Sequence, residues 1–263
     1  MCGRYALNIS GDDLALEFAA GNANAAFTPS NWNISPTTPI PFIASDNLAG
    51  DSRTIQMGRW GLIPSWAKDA SRQANAINAR VESIAEKPTF KSAFKSRRCL
   101  IPATGYYEWA TELGQYKPKQ PFYISNKDKS SIAIAGIYEE WINPQTSSPI
   151  TTAAIITREV VGILKPIHHR MPVILPKSLW STWLSNKSLT PQEVSDYLKM
   201  IDIFPILQYH IDFFRNFSFF HVVQKYFFLI PKPFFLNRQL FVLCYTFFYD
   251  FQKNFLILFC ISK

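Results

Sequence analysis

Strand-like runs set the limits on what this chain can fold into. Six short stretches of apolar, β-branched and aromatic residues recur at irregular intervals, and turn-rich segments such as residues 35–39 and 143–145 separate them. Few helix-like stretches lie between them, so the pattern disfavours repeated βαβ units. It favours an α+β fold with a central antiparallel or barrel-like β core and flanking helices. The predicted strands are residues 53–57, 98–101, 122–125, 131–137, 151–157 and 173–175.

Three segments carry the signals of short helices. Ser10 and Asp13 have the spacing of a capping box ahead of an apolar helical face. Thr190 stands three residues before Glu193 with a proline between them, which repeats the N-terminal signal. The third helix is predicted from apolar side chains at i, i+3 and i+4 from Trp180. The residues expected to face the core are Leu14, Phe18, Trp180, Trp183, Leu184, Val194, Tyr197 and Leu198.

The composition of the chain changes abruptly near residue 203. Sixteen of the 22 phenylalanines lie at or after Phe204, and no glycine follows Gly162. Translation of AT-rich or out-of-frame sequence gives such a composition. A membrane-spanning helix is the alternative, but its best window, residues 240–261, holds Asp250 and Lys253 near its centre, where charges are costly in hydrocarbon. We therefore expect a domain over residues 2–202 and an atypical Phe-rich tail over residues 203–263, without a membrane partner.

Net charge and cysteine spacing narrow the class of protein. The net charge of +8 permits a nucleic-acid partner without requiring one, since half of it lies on residues 203–263. The four cysteines have no C-x-x-C spacing, so we expect neither a zinc site nor a disulfide framework, and we predict no cofactor. Cys99 is expected to be a buried strand thiol. Residues 1–27 lack the apolar run of a signal peptide, which favours a cytosolic protein, near the nucleoid in a bacterium, or a nuclear one in a eukaryote.

The N-terminus offers a reactive group. The chain begins Met1-Cys2-Gly3-Arg4-Tyr5, and removal of Met1 would leave Cys2 with a free α-amine beside its thiol. An aldehyde can form an imine with such an amine and then be captured by the sulfur as a thiazolidine. A terminal amine has a pKa of about 7.8, so roughly a quarter is unprotonated near neutral pH, against about a thousandth of a lysine. Taken alone, a cysteine at position 2 is also compatible with no role.

Three polar clusters interrupt the apolar runs. Asn78 and Arg80 share one side of an extended strand, where an amide can bind a sugar oxygen and a guanidinium a phosphate, or where they form a polar strand edge. Glu108 is flanked by aromatic residues, so burial would raise its pKa toward neutrality and suit it to proton transfer, unless it is exposed. His168 titrates near neutral pH and Arg170 can bind phosphate, although a structural histidine is the alternative.

Two further features leave alternatives open. His168 and His169 should point to opposite faces of a strand, and no third ligand has zinc spacing, so we predict no metal there. Residues 33–37 and 60–68 place Pro36 and Trp66 on loops. Exposed Trp and Pro side chains can stack on, or wedge between, the bases of a single strand, whereas buried ones would fill the core.

Together, these clusters resemble one family, the SRAP proteins, which are SOS-response-associated peptidases or abasic-site processing proteins. The resemblance covers about residues 2–202, and six motifs in one order disfavour a chance match. The motifs are Cys2-Gly3-Arg4-Tyr5, Asn33-Ile34-Ser35-Pro36-Thr37, Trp60-Gly61-Leu62-Ile63-Pro64, Asn78-Ala79-Arg80-Val81-Glu82, Arg98-Cys99-Leu100-Ile101-Pro102 with Gly105-Tyr106-Tyr107-Glu108-Trp109, and His168-x-Arg170-Met171-Pro172.

The resemblance implies a specific chemistry and fold. It implies an SRAP-like α+β fold that senses and shields abasic sites in single-stranded DNA, notably at replication forks, through a covalent bond. Met1 would be removed by the site itself, as a thiol autopeptidase, or by a methionine aminopeptidase. The implied roles are nucleophile for Cys2, sugar positioning for Asn78, acid–base catalysis for Glu108 and contact with the opened sugar for His168. The implied or candidate DNA contacts are Arg4, Arg80, Arg170, Pro36, Trp66 and Trp109.

The sequence departs from the family pattern in two places. His169 stands where a small polar or acidic residue is common, which affects the protonation of His168. The family continues after its last helix into a further strand, which begins here near residues 207–210 and is abandoned over residues 211–214. A frameshift at this point would explain the Phe-rich tail, and we expect the loss of a core strand.

Two other functions remain as alternatives. An N-terminal-nucleophile glutamine amidotransferase also exposes a cysteine after Met1, but it needs an Asn-Gly segment for its oxyanion hole, and this chain contains no Asn-Gly dipeptide. A non-catalytic module that binds single-stranded DNA would use the Trp and Arg residues and would be indifferent to Cys2→Ala.

Overall fold

A computed structural model gives the fold of the chain. It describes residues 2–21, 31–45, 52–70, 76–111, 118–185, 189–190, 192–194, 197, 201 and 209–213. Within these residues thirteen strands form two sheets. They are β1 Arg4–Leu7, β2 Ala20–Gly21, β3 Asn31–Ile34, β4 Pro39–Ser45, β5 Arg53–Trp60, β6 Asn78–Arg80, β7 Arg98–Ala103, β8 Gly105–Trp109, β9 Pro121–Asn126, β10 Ile132–Ile142, β11 Pro149–Glu159, β12 Arg170–Pro172 and β13 Tyr209–Phe213.

The larger sheet closes into a barrel. Its strand order is β12-β11-β10-β7-β4-β5-β2, and β6 also pairs with β11. A parallel pairing between β5 and β11, with Arg59 opposite Thr152 and Trp60 opposite Ala153, joins the two arms of this order. The strands β4, β5, β11, β10 and β7 therefore form a closed ring. This confirms the α+β fold with a barrel-like core that the sequence predicted.

The second sheet is open and has the order β13-β9-β8-β1-β3, with every pairing antiparallel. Because side chains alternate along a strand, Tyr5, Tyr106 and Ile124 lie on one face, which is buried against the core. The opposite face carries Tyr107 and Tyr123, whose ring centroids are 5.0 Å apart. One face of this sheet thus packs on the barrel, and its strand β1 carries the N-terminus to the barrel.

The two predicted capping signals are confirmed, whereas helix α2, which has no side-chain cap, was not predicted from the sequence. Helix α1 spans Gly11–Phe18, and the Ser10 hydroxyl accepts a hydrogen bond of 3.1 Å from the Asp13 amide. Helix α2 spans Pro88–Ser96, and α3 spans Trp180–Leu184 with its three predicted apolar residues buried. The Glu193 amide donates to the Thr190 hydroxyl at 3.2 Å, as a capping box requires.

Five of the six predicted strands are confirmed as parts of β5, β7, β9, β10 and β11. The sixth, at residues 173–175, is wrong, because the strand is β12 at Arg170–Pro172 and only Ile174 forms an isolated bridge, to Ile134. The turn predicted at residues 35–39 ends one residue early, since β4 begins at Pro39. Cys99 is fully buried in β7, as predicted.

The segment in which the sequence abandons the family pattern contains part of a strand. Strand β13 pairs antiparallel with β9 over five residue pairs, from Tyr209 opposite Asn126 to Phe213 opposite Phe122. Apart from β13, residues 203–263 lie outside the described residues, so the division at residue 202 and the Phe-rich tail remain predictions. No helix in the described part of the chain is long and apolar enough to cross a membrane.

Candidate active site

The N-terminal segment meets the barrel at a buried site. In the pairing of β1 with β8, Tyr5 lies opposite Tyr106 and Arg4 opposite Tyr107, so the same register places Glu108 beside Gly3 and close to Cys2. Asn78 begins β6, and its side-chain amide donates a hydrogen bond of 2.9 Å to the Cys2 carbonyl oxygen. Cys2 is completely buried. The structure thus brings the nucleophile, the amide and the carboxyl group together.

Glu108 has the electrostatic environment of a proton-transfer group. Its side chain is 3% exposed, and burial raises its pKa from an ordinary 4.5 to about 7. The positive charge at the amino terminus acts in the opposite direction. A carboxyl group with this pKa exists in both protonation states near neutral pH, which is what general acid–base catalysis requires. The sequence predicted this shift from the flanking aromatic residues.

His168 lies across the site from Glu108. Its Nε2 is 4.0 Å from Glu108 Oε2, and the Arg170 amide donates a hydrogen bond of 2.9 Å to its Nδ1. Burial lowers the pKa of His168 from 6.5 to about 4, and the positive amino terminus lowers it further. The imidazole is therefore neutral at physiological pH. With Nδ1 accepting a hydrogen bond, the ring proton lies on Nε2, the nitrogen that faces Glu108.

The thiol of Cys2 rests in its protonated form. Burial raises the pKa of the Cys2 thiol far above its ordinary value, and the charge of Glu108 raises it further. Two polar atoms of the surrounding residues, Tyr5 Oη and Asn78 Oδ1, are buried without a hydrogen-bond partner among the described residues. Buried polar atoms of this kind are costly unless a ligand or water satisfies them. Tyr5 was not singled out in the sequence, although its position in the Cys2 motif was the available signal.

The three predicted DNA-contacting arginines differ in their surroundings. Arg4 is half-buried and donates a hydrogen bond of 2.9 Å to Asn33 Oδ1, and Arg80 is exposed. Arg170 is buried, and its guanidinium donates to both carboxylate oxygens of Glu82 at 2.7 and 3.0 Å. Arg80 is thus placed at the surface, whereas Arg170 is engaged inside the protein. The sequence assigned no role to Glu82, although it closes the motif that begins at Asn78.

The aromatic and proline candidates also separate by burial. Trp66 is 55% exposed, and Pro36 is half-buried in a turn. Trp109 is half-buried and packs against a small cluster of Ala6, Tyr107 and Tyr123. Trp60, in the same predicted segment as Trp66, is a core residue at the end of β5, and its indole donates a hydrogen bond of 3.0 Å to the Ile77 carbonyl. Of this group, Trp66 presents the most accessible ring.

His168 and His169 do not point to opposite faces, contrary to the prediction. Both precede β12 and are outside a strand, and their rings stack with centroids 4.3 Å apart. His168 is buried and His169 is exposed. Among the described residues, no group of three or more His, Cys, Asp and Glu side chains has an arrangement that could hold a metal ion.

Comparison with known proteins identifies the family that has this architecture. The family model of the SOS response associated peptidase (SRAP) matches residues 1–210. The chain belongs to the SRAP family. This SRAP chain is 39% identical over 203 residues to the abasic site processing protein YoaM of Bacillus subtilis, an alignment that covers 76% of the chain and 85% of YoaM.

Other relatives of the SRAP chain span bacteria and vertebrates. It is 37% identical over 204 residues to the abasic site processing protein YoqW of Bacillus subtilis, covering 77% of the chain and 88% of YoqW. The abasic site processing protein HMCES of Pongo abelii is 29% identical, over 76% of the chain and 68% of HMCES. A crystal structure of a protein from Bacteroides thetaiotaomicron matches with a TM-score of 0.69 at 26% identity, over 82% of the chain and 93% of that protein.

Proposed function

We propose that this SRAP chain senses and processes abasic sites in single-stranded DNA, and that Cys2, once freed of Met1, bonds covalently to the opened sugar. One observation carries the proposal. The Asn78 amide holds the Cys2 carbonyl at 2.9 Å in the buried site that also contains Glu108 and His168. The names of the relatives, abasic site processing proteins, support the substrate class.

The reaction begins with a sugar that is mostly a closed hemiacetal. Opening it requires a proton to move from the C1′ hydroxyl to the ring oxygen, and Glu108, with a pKa of about 7, can accept and return that proton. The α-amine of Cys2 then adds to the C1′ aldehyde, and loss of one water molecule gives an imine. The neutral His168 can donate a hydrogen bond from Nε2 to a sugar oxygen during these steps.

Ring closure uses the thiol beside the amine. The sulfur bonds to C1′, the C=N double bond becomes a single bond, and the thiol proton passes to nitrogen through Glu108. One amine, one thiol and one aldehyde thus give one thiazolidine and one water. Because the thiazolidine contains no imine, it cannot drive β-elimination, and the DNA strand is shielded from cleavage. The reverse sequence, with Glu108 as acid, releases the DNA.

The partners and secondary activities follow from this chemistry. Single-stranded DNA, including the exposed template at replication forks, is the substrate form in which an abasic sugar can enter a buried site. Arg4, Arg80 and Trp66 are the proposed DNA contacts with the clearest access, as cation and stacking partners. Removal of Met1 by this site would make the chain a thiol autopeptidase. Reversal of the thiazolidine adduct, which releases the DNA, would be a lyase-like activity.

A denaturing-gel assay tests the proposal. The protein, with Met1 removal verified by mass spectrometry, is incubated with single-stranded oligonucleotides that carry either an abasic site or an intact base. We expect a heat-stable adduct only with the abasic strand. Cys2→Ala should abolish it, and Cys99→Ala, which removes a buried thiol outside the site, should retain it.

Two further variants measure the supporting residues. Asn78→Ala and Glu108→Ala should slow adduct formation by about 100-fold, the usual size of a positioning or acid–base contribution. Binding of both oligonucleotides by Cys2→Ala, together with no adduct from the wild type, would instead favour a non-catalytic module for single-stranded DNA. An adduct that survives Cys2→Ala would refute the proposed nucleophile.

A further inference from the structure

Arg170 ties two sequence motifs together inside the protein. Its guanidinium makes a two-point ion pair with Glu82, at 2.7 and 3.0 Å, and also donates to the Thr157 carbonyl oxygen at 2.8 Å and to the Thr157 hydroxyl at 3.3 Å. Planar guanidinium groups make such paired contacts with carboxylates in one fixed orientation. Arg170 is 8% exposed, whereas the Glu82 side chain is 49% exposed, so the pair joins a buried guanidinium to a carboxylate at the surface. They fix the start of β12.

The backbone of the same residue faces the His168 ring. The Arg170 amide nitrogen is 2.9 Å from His168 Nδ1, and the Arg170 carbonyl oxygen is 3.1 Å from the same atom. The Arg170 amide can only donate, so its contact makes Nδ1 the acceptor of the neutral ring and leaves the proton on Nε2, which is 4.0 Å from Glu108 Oε2. If the ring is protonated, Nδ1–H can donate to the carbonyl without any movement of the backbone.

We infer that Glu82 is a positioning residue for His168: through Arg170 it holds the peptide that keeps the His168 proton on Nε2, toward the reacting sugar. The inference rests on the proposed function for its catalytic consequence. Glu82 lies at the far end of the motif that begins with Asn78, so this motif orders both sides of the site. The arrangement gives Arg170 a structural task, and the phosphate contact that the resemblance implied for it stays a prediction.

The charges around His168 are consistent with this role. Glu108 lies 4.0 Å from its ring and His169 stacks on it, while the positive charges of the amino terminus and of Arg170 lower its pKa. Partial burial raises the pKa of Glu82, but hydrogen bonds from Arg170 outweigh this effect and lower the pKa below its ordinary value. Glu82 is therefore ionised at neutral pH, and the pair is a charged one. Loss of the carboxylate charge would leave a buried guanidinium without its counterion.

The first test reads the His168 ring directly and needs no DNA. Nitrogen-15 NMR of the ring nitrogens reports which nitrogen carries the proton and at which pH the ring becomes charged. In the wild type we expect the proton on Nε2 and titration near pH 4. In Glu82→Gln we expect a mixture of the two neutral tautomers and a titration midpoint below that of the wild type, because the positive charge of Arg170 loses its counterion and the Arg170 hydrogen bond that favours the charged ring is loosened. Unchanged ring signals in Glu82→Gln would overturn the inference.

Two further variants control for charge and for folding. Glu86→Gln removes an exposed carboxylate four residues away and should leave the His168 signals as in the wild type. Glu82→Asp keeps the charge, so it should restore the Nε2–H tautomer in part. If Glu82→Gln does not fold, Arg170→Lys takes its place, because lysine keeps the charge but cannot make the two-point contact; unchanged His168 signals in that variant would overturn the inference.

The second test follows adduct formation with an abasic oligonucleotide between pH 5 and 9. Glu82→Gln should react about tenfold more slowly at neutral pH with an altered pH profile, whereas Glu86→Gln should match the wild type. If the wild type forms no adduct, the proposed function fails, and the NMR result still decides the role of Glu82. Equal rates and pH profiles in Glu82→Gln and the wild type would refute the catalytic part.

Discussion

Replacement of Glu108 by glutamine should stabilise the protein above neutral pH while it impairs the reaction. Between its ordinary pKa of 4.5 and the value of about 7 in the folded chain, Glu108 binds a proton more tightly in the folded state. Stability therefore falls as the pH rises through this window. At about 1.4 kcal/mol for each pKa unit, the full cost above pH 7 is about 3 kcal/mol. Glutamine has the shape of the protonated acid and avoids this cost.

His168 gives the opposite dependence over a lower range. Its pKa is lowered from 6.5 to about 4, so the unfolded chain binds a proton more tightly and stability rises with pH between these values. In the wild type the two dependences oppose each other between pH 4.5 and 6.5. In Glu108→Gln only the rise from His168 should remain. The variant thus differs from the wild type in the shape of its pH profile as well as in its stability.

Urea unfolding followed by circular dichroism from pH 4 to 8.5 measures both effects. We expect Glu108→Gln to equal the wild type at pH 4 and to exceed it by up to about 3 kcal/mol at pH 8. Glu86→Gln, which changes an exposed carboxylate, should stay within about 0.5 kcal/mol of the wild type throughout. A Glu108→Gln variant that is less stable than the wild type at pH 8 would refute the electrostatic argument.

Three further predictions concern stability and use the same unfolding assay. Tyr5→Phe removes a buried hydroxyl that has no partner among the described residues, so it should raise the free energy of unfolding by about 1 kcal/mol; a loss would show that the hydroxyl is bonded in solution. Arg98→Met should lower the free energy of unfolding by about 3 kcal/mol or more, because it removes a buried guanidinium and leaves its carbonyl partners without a donor. Arg59→Met, at a half-buried position, is the control and should lower the free energy of unfolding less. Gly105→Ala should lower the free energy of unfolding by about 1–3 kcal/mol, since a Cβ there would lie 2.4 Å from Tyr123 Cζ. Gly162→Ala is the control, because a Cβ there meets no neighbour and any loss of stability comes from the positive φ alone. Arg98 donates to the carbonyl oxygens of Phe94, Lys95, Trp183 and Ser185.

Local rules were sufficient where a signal is contained within a few residues. The Ser10 and Thr190 caps were predicted because each satisfies free amides of its own helix with a side chain three residues away. The central parts of β10 and β11, residues 131–137 and 151–157, were predicted because their runs of apolar and β-branched residues are typical of buried strands, and these parts are largely buried in the structure. In these places no information from the rest of the chain is needed.

The prediction failed where distant contacts decide the conformation. Strand β12 begins at Arg170, a charged residue whose burial depends on Glu82, 88 positions away. The apolar residues 173–175 look more like a strand, and Val173 and Leu175 do make backbone hydrogen bonds to Ile156, Ala135 and Ala133, but the regular pairing with Thr157 to Glu159 of β11 belongs to Arg170–Pro172. The stacking of His168 on His169 and the unpartnered hydroxyl of Tyr5 likewise depend on packing across the barrel. The sequence motifs predicted which residues form the active site, and the register of the strands in the two sheets sets the distances between those residues.

The burial of Cys2 has a consequence for the order of events during synthesis on the ribosome. The residues that enclose Cys2 are made long after it, with Asn78 76 positions later and His168 166 positions later. At about 5–20 residues per second, translation needs roughly 10–30 s to deliver the last of these enclosing segments. During that interval the nascent N-terminus is accessible to a ribosome-bound aminopeptidase, so maturation can precede enclosure and needs no later opening of the barrel.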